Sequence, residues 1–396
     1  MSTGSRFRLQ RMRPRSPQEE GRSASTLELF FDLVFVVAVS IAAVELHHSL
    51  TENHVLDGIL NFAMVFFGIW WAWMNFTWFA TSFDTDDWLY RVLTIVQMGG
   101  VLVLASGIAP VFESHDRTVL VIAYVVMRLA LVAQWLRASR GAGTARRATL
   151  LYAAGISFVQ ILWLGSLLIP HEFSSIAVVL IILAELAVPL IAERTGTTPW
   201  HPHHITERYG LFTLIVLGES LLASANAIIE SLQSTEELAP LIGVATLTLV
   251  AAAALWWIYF WPPHHHAING LGSSLLYGYG HFFILAAAAA FSAGIEVEID
   301  VLTGHSELQQ PWAAFAYTIP LSIFILGIWA LAIRPQADRI VNIIVPLAGV
   351  LVLIDPVVPV PFALTTVILV ATVAVLVWRQ PLGEKQQSVV EARGGR

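Results

Sequence analysis

The chain has 396 residues, of which 57% are hydrophobic and only 12% are charged, with a formal net charge of −7. Soluble domains carry roughly 25% charged residues, so the composition excludes an aqueous globule and a disordered chain. The absence of cysteine excludes disulfides, thiol nucleophiles and thiolate metal sites.

Twelve apolar segments are long enough for membrane-spanning helices, which need roughly 20 apolar residues. In chain order they cover 27–46, 57–80, 88–111, 118–137, 149–169, 174–193, 207–229, 238–261, 275–296, 311–333, 339–354 and 359–378. We therefore predict an all-α, polytopic integral membrane protein with about 12 transmembrane helices. The predicted organisation is a basic tail (1–26), a six-helix half (27–193), a linker (194–206), a second six-helix half (207–379) and a second tail (380–396).

The distribution of basic residues along the chain indicates how these segments are oriented in the membrane. Twelve spans place both tails and the loops after even-numbered spans on one side of the membrane. Of the 21 Lys and Arg residues, Arg117 alone lies opposite and Arg128 lies inside a span, which leaves 19 on that side. Because cytoplasmic loops are enriched in Lys and Arg, we predict that both termini and the linker are cytoplasmic.

The first span carries two acidic residues with different expected roles. The string "STLE", residues 25–28, is typical of a capping box, in which Glu28 reaches back to the first amide of the helix. Asp32 lies deeper, on the order of 10 Å inside the helix start at 1.5 Å per residue. Ionised side chains at such depth face protein or a water-filled cavity. Asp32 is therefore either an interfacial residue held by neighbouring amides or arginines, or a group that lines a cavity.

Three further ionisable residues lie deep in predicted spans, namely Arg128, Glu185 and Glu219. Together with Asp32 they give three carboxylates and one guanidinium. We expect Arg128 to pair with one of the acids, because an unpaired guanidinium inside a membrane is costly. The other carboxylates would be protonated, solvated or bound to a cation, which favours proton-coupled or cation-coupled chemistry.

Histidines form two short clusters and one isolated candidate site. The clusters are potential but weak metal sites, because their ligand spacing is irregular, and interfacial loop histidines are the preferred interpretation. His281, beside two tyrosines in the ninth span, is a candidate proton relay. The clustered residues are His201, His203, His204, His264, His265 and His266.

Three other patterns have structural explanations. The tryptophans in "WWAWMNFTWF" and "LWWIYFW" are interpreted as aromatic belts at the membrane interface, with a stacking platform for substrate as the alternative. The string "AAAAAFS", residues 286–292, predicts close helix packing. In "TSFDTDDW" the acidic residues are expected to cap the third span.

Three strings resemble the bacterial low temperature requirement A proteins: "ELFFDLVFVVAVS" (28–40), "FDTDDWLYR" (83–91) and "ERYGLFTLIVLGES" (207–220). The resemblance implies a multi-pass protein of the bacterial inner membrane, in a family named for growth in the cold and without a settled reaction. It marks further candidates by their place in these strings: Glu28, Asp32, Asp84, Asp87, Arg91, Glu207, Arg208 and Glu219.

The expected function is secondary transport of a small solute or ion, coupled to protons through Asp32, Glu185 and Glu219 with Arg128 as partner. The alternatives are an intramembrane enzyme that modifies lipid, and a sensor or chaperone-like component without turnover. The motifs H-E-x-x-H and G-x-S-x-G are absent, so an enzyme is not the first choice. The expected partners are the lipid bilayer and the small solute or ion, with no cofactor and no nucleic acid.

Overall fold

The computed structural model describes residues 9–233, 238–358 and 362–382. The structure is 81% helical, and no β-strand occurs within those ranges. The α-helices are α1 (Thr26–Thr51), α2 (Val55–Phe83), α3 (Trp88–Ser106), α4 (Ile108–Ser114), α5 (Thr118–Ser139), α6 (Arg146–Ser166), α7 (His171–Thr195), α8 (Pro202–Gln233), α9 (Leu238–Phe260), α10 (Leu271–Thr303), α11 (Trp312–Ile328), α12 (Val341–Leu351) and α13 (Ala363–Trp378).

Ten helices of the described chain are long and apolar enough to cross a membrane, with α3 and α4 counted as one, and two shorter apolar helices follow them. Their surfaces expose large apolar side chains, such as Leu56, Ile161 and Phe283 at 69%, 66% and 62%, as lipid-facing positions would. The predicted all-α, polytopic membrane fold is confirmed. The predicted twelfth span begins at residues 359–361, which lie outside the described residues.

Local sequence signals account for several helix boundaries. At the start of α1, the Ser25 amide donates to Glu28 Oε2 at 2.8 Å and the Glu28 amide donates to Ser25 Oγ at 3.3 Å, which confirms the capping box. Asp87 is the N-cap of α3 and accepts a hydrogen bond from the Tyr90 amide at 3.0 Å. The capping role expected for the acidic loop after α2 is therefore confirmed for Asp87.

Small residues bring α10 and α11 close together. Ala287, Ala288 and Ala289 are buried, and a Cβ atom added at Gly294 would lie 2.3 Å from the backbone oxygen of Ala316. Such a short distance requires glycine at this position. The close packing predicted from the alanine-rich string is confirmed.

The described chain divides into two compact units. Unit 1 comprises Met1–Ala42 and Met64–Leu211, and unit 2 comprises Ala43–Ala63 and Phe212–Arg396. The helices α1, α2 and α8 therefore contribute residues to both units. The two six-helix halves predicted from the sequence stay a prediction.

The core of unit 1 is rich in tryptophan. Trp70, Trp71 and Trp73 of α2 are at most 1% exposed, so the interpretation as an interface belt is wrong for these three. Because these side chains are packed at the centre of the unit, their indole N–H groups are buried and need hydrogen-bond acceptors. The partners of two of these groups are carboxylates in the candidate site.

Candidate functional site

Asp32 lies fully buried in unit 1, about 9 Å along α1 from its start. Arg208 of α8 donates through Nε to Asp32 Oδ2 at 3.0 Å and through Nη2 to Oδ1 at 2.5 Å. Trp73 of α2 donates its indole N–H to the same Oδ1 at 2.6 Å. A bidentate arginine fixes both the position and the plane of a carboxylate, so Asp32 joins three helices.

A second carboxylate shares the same guanidinium. Arg208 Nη1 lies 2.9 Å from Glu28 Oε1, and His204 Nε2 lies 3.2 Å from that oxygen. All four side chains are at most 1% exposed. We call Glu28, Asp32, His204 and Arg208 the Arg208 cluster. It holds two carboxylates, one permanent cation and one imidazole, so it is neutral only when it carries one additional proton.

The Arg208 cluster corrects the charge count made from the sequence. Arg128 was taken as the single guanidinium available to three deep carboxylates, and that count is wrong because Arg208 neutralises Asp32. The reason is the boundary of α8, which begins at Pro202 rather than at residue 207. The earlier start also places His204 inside the helix, so its interpretation as a loop histidine is wrong.

Arg128 and Glu185 form the second buried ion pair of unit 1. Arg128 Nη2 lies 3.1 Å from Glu185 Oε2, and the side chains are 1% and 0% exposed. The expected pairing of Arg128 with a deep carboxylate is confirmed. Arg128 lies near the middle of α5, so the pair sits deep within the helical layer.

Glu185 receives four further hydrogen bonds from neutral donors. Trp71 and Tyr124 donate at 2.8 and 2.9 Å, and Gln160 and Trp163 donate at 3.3 Å each. The guanidinium is less well satisfied: Nη2 also donates to an amide oxygen of α2 at 3.4 Å, while Nε and Nη1 have no hydrogen-bond partner among the described residues. Five donors stabilise the ionised carboxylate, and they hold α2, α5, α6 and α7 together.

The acidic loop between α2 and α3 lies outside the membrane-spanning helices. Asp87 pairs with Arg137 of α5, and Arg15 Nη1 donates to Asp84 Oδ2 at 3.2 Å. Burial raises the pKa of Asp84. Burial acts in the same direction at Asp87, but hydrogen bonds from Arg137 and from backbone amides outweigh it and lower the pKa of that carboxyl. Arg91 forms an exposed pair with Asp86, with Nε 2.8 Å from Oδ1.

The remaining candidates on α8 lie apart from these pairs. Glu207 is partly exposed and accepts a hydrogen bond from the Ala24 amide at 3.2 Å. Glu219 is also partly exposed, and it lies about 26 Å from the start of α8 at 1.5 Å per residue. Glu219 is thus not one of the fully buried carboxylates, and its role stays a prediction.

His281 belongs to a buried chain of tyrosine and histidine side chains in unit 2. Its Nδ1–H donates to the backbone oxygen of Tyr277 at 2.7 Å, and its Nε2 accepts from the Tyr259 hydroxyl at 3.1 Å. The hydroxyl of Tyr277 lies 2.9 Å from His264 Nδ1, and His264 Nε2 lies 2.6 Å from the backbone oxygen of Tyr259. Burial lowers the pKa of His264, which lies between α9 and α10, to about 4.

The other clustered histidines are held separately. His264 lies in the connection between α9 and α10, as predicted, but it is buried at 8% exposure. His201 Nε2 lies 3.0 Å from the backbone oxygen of Glu19, and His266 Nδ1 lies 3.3 Å from Gln336 Oε1. Within the part of the chain that the structure describes, no group of three or more His, Asp or Glu side chains is arranged to hold a metal ion.

Sequence reasoning missed the acidic groups of unit 2. His47 of α1 lies between Glu296 and Asp300 of α10, at 3.0 and 2.7 Å. Asp355 is 1% exposed and lies where α12 ends, and Glu298 of α10 is equally buried. Their positions at the ends of predicted spans suggested loops. The sequence did contain one signal that could have identified Asp355, namely an acidic residue followed by proline between two apolar runs, at 355–356.

Comparison with known proteins adds two findings. A family model described as "Bacterial low temperature requirement A protein (LtrA)" matches residues 23–378. An uncharacterized protein of Rhizobium meliloti (strain 1021) is 30% identical over 226 residues, which is 52% of this chain and 52% of that protein. The chain thus spans about half the length of this curated relative, whose name states no activity.

Proposed function

This chain belongs to the bacterial low temperature requirement A family, and from that premise we propose that it is a secondary transporter of a small solute or ion, coupled to protons. The observation that supports the proposal is the Arg208 cluster, a buried group of side chains with one carboxylate more than its permanent positive charge can balance. The same proposal puts both termini on the cytoplasmic side of a bacterial inner membrane, because 18 of the 21 basic residues, all except Arg117, Arg128 and the buried Arg208, would then lie on that side.

Proton binding has a structural consequence in this cluster. Arg208 is shared between Glu28 and Asp32, which are one turn apart on α1. A proton on Asp32 would remove the charge that holds two nitrogen atoms of Arg208 and leave Glu28 as its remaining anionic partner. Loss of the proton would restore the bidentate pair. The contact between α1 and α8 would therefore depend on protonation, as a coupling step requires.

The other deep acids take different parts in this proposal. Glu185 is surrounded by five donors, so we assign it to a fixed ion pair that holds the helices in place. Glu219 is partly exposed rather than enclosed by protein, and we retain it as a second protonation site. His281, with both ring nitrogens hydrogen bonded, stays a candidate relay.

Transport can be measured with purified protein in liposomes. A pH gradient is imposed, and uptake of radiolabelled amino acids, sugars, organic acids and amines is followed with and without a protonophore. We expect gradient-driven uptake of at least one of these solutes, and its loss in Asp32→Asn. Asp57→Asn is the matched control, because Asp57 is exposed at the start of α2, and it should leave uptake unchanged. Both variants must elute as single species.

The alternatives give different results in the same vesicles. Gradient-independent change in the vesicle lipids, seen by chromatography, would favour an intramembrane lipid-modifying enzyme. Neither uptake nor altered lipid would favour a sensor or chaperone-like component. Wild-type uptake by Glu219→Gln, which retains the size and hydrogen-bonding capacity of the side chain, would remove Glu219 from the coupling scheme.

A further inference from the structure

A pocket of about 420 Å³ lies in unit 2, where α11 begins close to the end of α12. Its size falls within the range of about 300–1,000 Å³ that small-molecule sites occupy. The walls are mostly apolar, and the polar groups are one amide and one carboxylate. The lining residues are Gln310, Pro311, Ala314, Asp355, Pro356, Val357 and Val358.

A second carboxylate lies directly behind this wall. Gln310, which lines the pocket, donates through Nε2 to Glu298 Oε2 at 2.9 Å. Glu298 is 1% exposed, and its Oε1 has no hydrogen-bond partner among the described residues. Neither Glu298 nor Asp355 takes part in an ion pair within the described chain. An ionised carboxylate without a cation is strongly unfavourable when it is buried. Each of these acids therefore either carries a proton or needs a cation that the described residues do not supply.

A purely structural role accounts for Asp355 but not for Glu298. Asp355 accepts hydrogen bonds from the Tyr317 hydroxyl at 2.7 Å and from the Phe362 and Thr365 amides at 3.1 Å each. It therefore caps the start of α13, across a break in which α12 passes into a tighter helix over Val352–Val357. Broken helices form the substrate and ion sites of many transporters. The unpaired oxygen of Glu298 has no comparable structural explanation.

The surroundings of the pocket are acidic. Residues 43–63, 296–312 and 352–358 contain no Lys or Arg. The first two segments are joined by His47, which lies between Glu296 and Asp300, and by the Glu307 amide, which donates to the Thr51 backbone oxygen at 2.9 Å. Such a surface raises the local concentration of cations.

We propose that this pocket binds a small organic ammonium ion, with Glu298 and Asp355 compensating its charge and the Pro, Ala and Val side chains contacting its hydrocarbon part. An inorganic cation is a poorer match, because Ca²⁺, for example, takes 6–8 oxygen ligands and the lining is mostly apolar. The proposal deepens the transport function by naming a substrate class. Binding is nevertheless measured in detergent, so it can succeed or fail independently of transport.

The binding test uses the full-length wild-type protein in detergent, with cyclohexylammonium as the probe and cyclohexanol as its neutral analogue of similar shape. Isothermal titration calorimetry should show saturable binding of cyclohexylammonium and none of cyclohexanol. Glu298→Gln should raise the Kd for cyclohexylammonium by about tenfold or more, because the negative charge behind the pocket wall, which compensates the bound cation, is lost. Glu307→Gln is the matched control, since Glu307 is exposed and outside the pocket lining. It should leave the Kd within about twofold.

Several results would overturn the assignment. These are no saturable binding of cyclohexylammonium by the wild type, equal binding of cyclohexanol, equal loss of affinity in Glu307→Gln, and full displacement of the probe by equimolar sodium. If Glu298→Gln does not fold, the comparison of charged and neutral probes on the wild type decides alone. Binding without gradient-driven uptake in liposomes would refute the transport proposal and leave the pocket assigned.

Discussion

Replacing Arg128 and replacing Glu185 should lower the free energy of unfolding by different amounts, although each change breaks the same ion pair. Both side chains are buried, with Nη2 and Oε2 3.1 Å apart, but their other contacts differ. Replacement of Arg128 by Met leaves Glu185 with the hydrogen bonds of Trp71, Tyr124, Gln160 and Trp163. Replacement of Glu185 by Met leaves the guanidinium with one amide oxygen at 3.4 Å, and it also leaves four neutral donors without their acceptor.

The size of each loss in the free energy of unfolding follows from these contacts. Truncation of one partner of a buried ion pair costs about 3–5 kcal/mol. We expect Arg128→Met near the lower end, about 3 kcal/mol, because the remaining carboxylate keeps four donors. Glu185→Met should lie near the upper end, about 5 kcal/mol. The double variant should cost less than the sum of the two, by about 2–3 kcal/mol, because neither charge is then left unpaired.

The free energies of unfolding can be measured by equilibrium titration with SDS in mixed micelles, monitored by near-UV circular dichroism. Glu113→Gln, at an exposed carboxylate of α4, controls for loss of a charge without loss of a buried pair. Equal costs for the two single variants, or a larger cost for Arg128→Met, would refute the argument that the neutral donors stabilise Glu185. Additive costs in the double variant would refute the pair itself.

Three further predictions use the same unfolding assay. Gly294→Ala should cost about 1–3 kcal/mol, because the new methyl group would lie 2.3 Å from a backbone oxygen of α11. Gly243→Ala is the control and should not destabilise, because a Cβ atom added there has no neighbouring atom within 4 Å. Equal costs for the two variants would contradict the close packing of α10 and α11. The pKa of His264 is lowered to about 4, so on acidification the unfolded chain binds this proton before the folded protein does. The free energy of unfolding should therefore fall, by up to about 3 kcal/mol, as the pH is lowered from 6.5 to 4. His264→Gln should flatten this pH dependence, and an unchanged slope would count against the burial of a neutral imidazole. At neutral pH, Asp87→Asn should cost about 1 kcal/mol through loss of the ion pair with Arg137, since asparagine still caps the helix. Asp84→Asn should not destabilise, because burial raises the pKa of Asp84 and makes its ionisation costlier in the folded than in the unfolded chain. The reverse order of costs would show that the two pKa directions are wrong.

Features that depend on neighbouring residues could be predicted from the sequence. The order of the spans and the capping box at Ser25–Glu28 follow from composition and spacing over a few turns. The pairing of Arg128 follows from the high cost of an unpaired guanidinium within the membrane. Each of these conclusions needs only the immediate sequence and a general energetic rule.

Contacts between distant residues could not be obtained in this way. Asp32 and Arg208 are 176 residues apart, and the depth of Arg208 depends on where α8 begins. Trp73 was assigned to the interface because indole is amphipathic, and only packing determines that its N–H faces Asp32. Asp355 and Glu298 lie at the ends of predicted spans. At such positions the local sequence pattern is the same whether the acidic side chain is exposed to water or buried at a pocket.

The pairing of Asp32 with Arg208 also constrains how the protein is made. Ribosomes add about 5–20 residues per second, so the 176 residues between the two side chains take roughly 9–35 seconds to synthesise. During that time α1 has left the ribosome while the guanidinium that balances its carboxylate does not yet exist. Asp32 must enter the bilayer as a neutral acid, or α1 must remain beside the insertion machinery until α8 emerges. Asp32 therefore meets its guanidinium partner only after Arg208, 176 residues further along the chain, has been translated.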